Sequence, residues 1–164
     1  MRFAVYDSPL GPVAAAVTPL GLWRTALGRT AEAFARELAA CCEGRIVEER
    51  AALARLFSML DRYFAGRPVV FDLPLHITGG PFDRSVWSAV ARIPWGEVRT
   101  YGEVARRVSR PAAARAVGGA CGRNPLPVVV PCHRVVAASG RLGGFSEGAG
   151  WKRGLLRIEG VRMG

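Results

Sequence analysis

Cys132, His133 and Arg134 stand side by side, directly behind three valines and Pro131. A thiol next to an imidazole and a guanidinium suits thiolate chemistry. The thiolate is the reactive form, and a neighbouring base or positive charge lowers a cysteine's pKa. Val128, Val129 and Val130 are β-branched and apolar, so they should be buried and stiff, and Pro131 fixes one backbone φ. The nucleophile would then sit on a rigid support. Adjacent residues of an extended segment point to opposite sides, however, so direct proton transfer from Cys132 to His133 does not follow from their adjacency. An inert buried cysteine is the competing reading, because free cysteine is often buried.

Few other residues compete for that chemistry. Cys41, Cys42 and Cys121 show no C-x-x-C spacing, and His76 stands alone, so neither a disulfide framework nor a metal set emerges. Charge is more telling once it is divided. Residues 1–80 hold nine arginines against eight acids, whereas residues 81–164 hold thirteen arginines and one lysine against five acids, so nearly all of the net +10 lies in the second half. Such asymmetry is the electrostatic footprint expected of a protein that meets a polyanion, the alternative being a solvated basic face.

The elements that must position these groups can be read in order. At 164 residues and 50% apolar, the chain is long enough to bury a real core as one domain or two small ones. Residues 3–6, 13–17 and 21–26 read as short strands separated by turns, an antiparallel meander. Thr30 caps an expected helix over residues 31–42, and Leu53, Leu56, Phe57, Leu60 and Phe64 repeat at helical spacing in a second. Residues 74–81, rich in Gly and Pro, read as a linker between a scaffold domain (1–73) and a second domain (82–164). There, Val86, Trp87 and Val90 form an apolar stripe, and Thr100 with Glu103 forms a capping box for a helix over 101–108. A turn at 109–111, with Pro111 in the first turn of a further helix through Cys121, makes a helix-turn-helix. That second helix is almost bare: Ala112, Ala113, Ala114, Ala116, Gly118, Gly119 and Ala120 surround one long side chain, Arg115. Small residues permit close approach, either to a neighbouring helix or to a groove read for its shape, but they cannot read a major-groove code. Residues 139–150 are glycine-rich and expected to form a mobile loop before a last helix over 151–158.

These residues resemble a known family. RAVGGACGRNPLPVVVPCHRVVAASGRLGGFSEG, preceded by IPWGEVRTYGEVA, is similar to the O6-alkylguanine-DNA alkyltransferases, or methylated-DNA–protein-cysteine methyltransferases. The likeness is dense over residues 71–160 and holds only in outline before them. It implies an α/β N-terminal domain with a short antiparallel sheet and helices, then an all-α C-terminal domain with a helix-turn-helix. It implies DNA repair by irreversible transfer of the alkyl group from O6-alkylguanine, and from O4-alkylthymine, to Cys132, one turnover per molecule.

Carried over residue by residue, His133 would act through a water as base, Glu159 would orient and polarise His133, and Asn124 would shape the turn leading to Cys132. Tyr101 would crowd the target nucleotide's phosphate and donate towards guanine N3, and Arg115 would enter the stack vacated by the flipped base. Ala114, Gly118 and Val135 would face DNA or substrate, and Phe145 and Ser146 would close over the base. Many relatives have tyrosine where this chain has Phe145. The resemblance implies no cofactor and no metal. It implies double-stranded DNA as partner through the minor groove, and a monomer in the cytoplasm. No 18-residue apolar run suggests a membrane span.

Three other classes are weighed. A lesion-binding protein without repair activity would lack the acceptor cysteine. A thiol hydrolase would turn over. A helix-turn-helix regulator would need polar readers that residues 112–120 do not supply.

Overall fold

The computed structural model describes residues 1–163, which divide into two compact units, Met1–Ile77 and the chain from Thr78 onward. In the first unit β1 (Arg2–Ser8), β2 (Gly11–Thr18) and β3 (Gly21–Leu27) form the expected antiparallel meander. β4 (Val47–Glu48) adds to the outer edge of β1, in parallel. A strand of two residues has no period to detect, and the sequence does not announce it.

Both faces of this sheet are covered, and the period of two explains how. Phe3 pairs with Ala16 and Val5 with Ala14, on the face where Phe34 and Leu38 of α1 (Ala31–Cys41) pack. Tyr6 lies on the opposite face, against Phe57 and Phe64 of α2 (Ala54–Phe64), and its hydroxyl donates to Asp61 Oδ1 at 2.7 Å. With helices on both sides, Ala14, Ala15 and Ala16 are all fully buried. The Thr30 side chain accepts from Ala33 N and caps α1, while α2 is entered through a short 3₁₀ turn at Arg50–Leu53.

Residues 74–76, expected in a linker, belong to the sheet edge instead. Leu22 N donates to Pro74 O and His76 N to Leu22 O, each at 2.8 Å. Gly21, at φ +134°, lets this segment approach where a Cβ would collide with the Pro74 carbonyl. His76 is accounted for there by a 2.9 Å hydrogen bond between its Nδ1 and Thr18 Oγ1.

In the second unit α3 (Pro81–Ala91) begins with proline at its first position and buries Val86, Trp87 and Val90. β5 (Arg99–Thr100) leads into α4 (Tyr101–Arg107), whose capping box forms as expected. α5 (Ala114–Gly122) starts later than the sequence suggests. Arg110 N donates to Ala105 O, and Ala113 N to Arg110 O, closing two successive turns with Ser109 at φ +59°. These bonds spend the backbone before it can become helical, so Pro111 lies in the turn and the connection spans residues 108–113. α5 is pinned to α3 by Trp87 Nε1, which donates to Ala120 O at 2.8 Å, and by Arg123, which donates twice to Asp83 at 2.8 Å. β6 (Val135–Val136) pairs in parallel with β5, and α6 (Ala149–Ile158) closes the unit. Residues 137–148 carry no helix or strand. Among the described residues no helix is long and apolar enough to cross a membrane.

Candidate functional site

The segment between α5 and β6 is built as a support for one sulfur. Asn124 holds it from inside: its Oδ1 accepts from Leu126 N at 2.9 Å and its Nδ2 donates to Val130 O at 2.8 Å. Val128 sits at φ +76°, a conformation that a β-branched residue adopts only when its surroundings impose it. Pro131, at φ −81° and ψ 62°, is the centre of an inverse γ-turn in which Cys132 N donates to Val130 O. Cys132–Arg134 then coil into a single 3₁₀ turn rather than continuing extended. Adjacent side chains in such a turn do not face opposite ways, which removes the objection raised by strand geometry.

Cys132 is 3% exposed, with the side chains of Asn124 and Cys121 near enough to shift its pKa. The interaction with Cys121 and burial together push its thiol well above the usual range, against a smaller pull from Asn124 and from the charge of Lys152. A base is therefore required to use it at neutral pH.

His133 and Glu159 have fully buried side chains, and His133 Nε2 lies 2.6 Å from Glu159 Oε1. Burial favours protonation of Glu159, but the hydrogen bonds and charges of His133 and Arg134 outweigh it and hold the carboxyl at about 2. An ionised carboxylate can only accept, so Nε2 carries the proton and the lone pair of neutral His133 is on Nδ1. Burial lowers the His133 pKa, with Glu159 opposing, so the ring is neutral at pH 7. Arg134 donates from Nε to Glu159 Oε2 at 2.8 Å and from a terminal nitrogen to Oε1 at 3.0 Å. Sequence reasoning placed Arg134 beside the cysteine but missed this buried pairing with Glu159, which lies 25 residues away.

Cys132 opens onto a cavity of about 530 Å³, in the range of small-molecule sites. Its walls bring together Tyr101 from α4, Ala114, Arg115 and Gly118 from α5, and Phe145 and Ser146 from the glycine-rich loop. Asn124, His133 and Glu159 are not part of the wall. Val135, expected at the substrate, is fully buried and also outside the lining, because its place in the β5–β6 pair turns it into the core. Tyr101 donates to Gly144 O at 3.3 Å, and Gly143, at φ +74°, brings the loop so close that a Cβ would fall 2.9 Å from that hydroxyl. Burial, then the two cysteines, raise the Tyr101 pKa, keeping its hydroxyl a donor.

Lys152 was also missed, although it is the chain's single lysine among 22 arginines. It is fully buried on α6, with Nζ donating to Val135 O at 2.6 Å and Gly144 O at 3.0 Å, 5.8 Å from the Tyr101 ring centre. Burial outweighs the nearby thiols and brings its pKa down to about 8. A compact ammonium fits between two carbonyls where a planar guanidinium would not. Lys152→Met should therefore cost about 1–3 kcal/mol, the penalty of leaving a buried carbonyl without a donor, read as a lower urea midpoint.

Two family models match the chain: "6-O-methylguanine DNA methyltransferase, ribonuclease-like domain" over residues 1–77, and the DNA binding domain of the same family over residues 81–161. A methylated-DNA–protein-cysteine methyltransferase of Methanosarcina acetivorans is 38% identical over 160 residues, covering 98% of this chain and 99% of that one. A solved structure of Mycobacterium tuberculosis OGT in complex with DNA matches with a TM-score of 0.85 and 36% identity, over 97% of this chain and 92% of that one. The O6-methylguanine-DNA methyltransferase of Pyrococcus kodakaraensis matches with a TM-score of 0.69 and 28% identity, over 97% and 99%.

Proposed function

The chain belongs to the 6-O-methylguanine DNA methyltransferase family, and from that premise we propose that Cys132 is its alkyl acceptor. The protein repairs DNA by moving an alkyl group from the O6 of guanine to a cysteine of its own. The observation that carries the assignment is the seating of Cys132 at the wall of the cavity, next in sequence to the buried His133–Glu159–Arg134 cluster.

In this reading O6-alkylguanine enters the cavity flipped out of the duplex, since a stacked and paired base hides its O6. Cys132 loses its proton through one water to His133 Nδ1, and Glu159 stabilises the imidazolium that forms. The thiolate attacks the alkyl carbon, a C–S bond forms, and the C–O bond breaks. Guanine leaves as its oxyanion and takes up a proton. Tyr101 gives up its contact with Gly144 and donates to the N3 edge, Ser146 N–H supports O6, and Phe145 packs over the base. Arg115, exposed on α5, fills the vacated stack. The bare faces of Ala114 and Gly118 allow minor-groove approach, read by shape and not by sequence. The same attack fits O4-alkylthymine. The protein is read as a cytoplasmic monomer.

A thioether has no partner here to cleave it, so each molecule works once. The test is titration of limiting protein against excess O6-methylguanine duplex with intact-mass readout. One methyl per molecule, mapped to Cys132, is expected; several lesions repaired per molecule, or a methyl on Cys41, Cys42 or Cys121, would overturn the reading.

The basic second half, +9 over residues 81–164, should make duplex binding fall steeply with salt, by a slope of about 0.9 per phosphate neutralised. Arg115→Ala should slow repair of duplex by about 10- to 100-fold, the worth of a few kcal/mol of unstacking, and hardly change reaction with free O6-benzylguanine. Equal losses on both substrates would assign Arg115 to the fold.

A further inference from the structure

Cys121 has no part in the chemistry above, yet it lines the same cavity as Cys132, near enough for each thiol to shift the other's pKa. It comes from the last turn of α5, while Cys132 begins the turn after Pro131, so two separate elements bring their thiols to one cavity wall. Neither is in a disulfide. A bond between two thiols requires that the fold first bring them together in this way. The intervening residues are already folded back: Pro125, Pro127 and Pro131 and the Asn124 hydrogen bonds hold the segment in its turn.

We propose that Cys121 and Cys132 form a peroxide-responsive dithiol, in which oxidation joins them in a reversible disulfide that withdraws the acceptor sulfur and shields it from irreversible oxidation. The withdrawal of activity rests on the reading of Cys132 as acceptor; the cross-link itself does not. Reactivity supports the order of events. The hydrogen bond from Cys132 lowers the Cys121 pKa against burial, and the nearby Lys152 ammonium adds to the lowering, whereas the deeper Cys132 is held protonated. Cys121 is also the more exposed of the two.

The Cys121 thiolate therefore attacks a hydroperoxide. An S–O bond forms, the O–O bond breaks, and the products are Cys121 sulfenic acid and an alcohol, or water from hydrogen peroxide. The Cys132 sulfur then attacks the Cys121 sulfur: the S–S bond forms, the S–O bond breaks, and hydroxide leaves with the Cys132 proton as water. Two electrons and both thiol protons end on the peroxide oxygens, and a small thiol reverses the sequence. Without a neighbour to resolve it, a sulfenic acid in this cavity would proceed to sulfinic acid, which small thiols do not reverse.

The test treats the full chain with limiting hydrogen peroxide, blocks remaining thiols and maps tryptic peptides. The expected product is residues 116–123 cross-linked to 124–134, with repair lost and then recovered with dithiothreitol. Removing Cys121 also removes the main influence that holds the Cys132 thiol protonated, so Cys121→Ala and Cys121→Ser, each compared with its own untreated activity, should recover less than about a tenth, with sulfinic acid on Cys132. Cys41→Ser/Cys42→Ser, whose sulfurs lie 3.6 Å apart in the other unit, should respond as the unsubstituted protein does. Absence of the cross-link at any peroxide dose, or full recovery of the Cys121 variants, overturns the proposal. A cross-link in a protein that methylates another cysteine would sink the acceptor assignment and leave the disulfide standing.

Discussion

Cys132→Ser yields no methylated protein from O6-methylguanine duplex, while gel-shift binding to the lesion stays within a few-fold of the unsubstituted protein. The sulfur supplies what oxygen cannot. A thiol, even one raised by burial, gives up its proton to a neighbouring imidazole, and its thiolate is a soft nucleophile towards saturated carbon; a serine hydroxyl in the same pocket stays protonated. The expected fall in transfer rate is at least about 10³-fold, as for removal of a nucleophile that acts in concert with its base. Binding survives because the cavity wall from α4, α5 and the loop does not depend on this side chain, and serine is slightly smaller than cysteine. Transfer retained within ten-fold would move the acceptor elsewhere.

Substitution at Glu159 separates catalysis from folding. Glu159→Ala leaves the buried Arg134 guanidinium and His133 without their shared carboxylate, and breaking such a buried pair costs about 3–5 kcal/mol, measured by urea denaturation. Glu159→Gln keeps the shape and can still accept from His133, but removes the charge that supports an imidazolium. His133 becomes a weaker base, transfer at pH 7 should slow by about 10²-fold, and the rise of rate with pH should move to higher pH. An unchanged pH–rate profile would remove Glu159 from the proton path.

The same carboxylate sets an acid limit. Its pKa is about 2 in the folded protein and ordinary in the unfolded chain, so the unfolded state binds more protons on acidification. The Glu159 contribution is therefore complete above about pH 4.5, the ordinary carboxyl value, and is lost as pH falls towards 2. Glu159→Gln should flatten the stability profile across that window.

Local sequence determined a good deal of this molecule, because its signals act over a few residues. Turn chemistry marked the three-strand meander, Thr30 and the Thr100–Glu103 box marked two helix starts, and apolar spacing marked α2 and α3. Cys132 and its neighbours were legible as residue types in a row. What tertiary structure alone decided is how those types become a site. The 3₁₀ turn at Cys132, the positive φ of Val128 and the delayed start of α5 come from hydrogen bonds between residues that local propensity does not pair, those of Asn124 and Arg110 among them. Only folding brings Glu159 of the chain end to His133 and Arg134, Lys152 to two carbonyls of other segments, and Cys121 to Cys132. The family pattern pointed to Glu159 but not to Lys152 or Cys121. The physical reason is range: caps and periodicity are satisfied within a turn or two of chain, whereas a buried charge or thiol takes its pKa from whatever the fold packs against it.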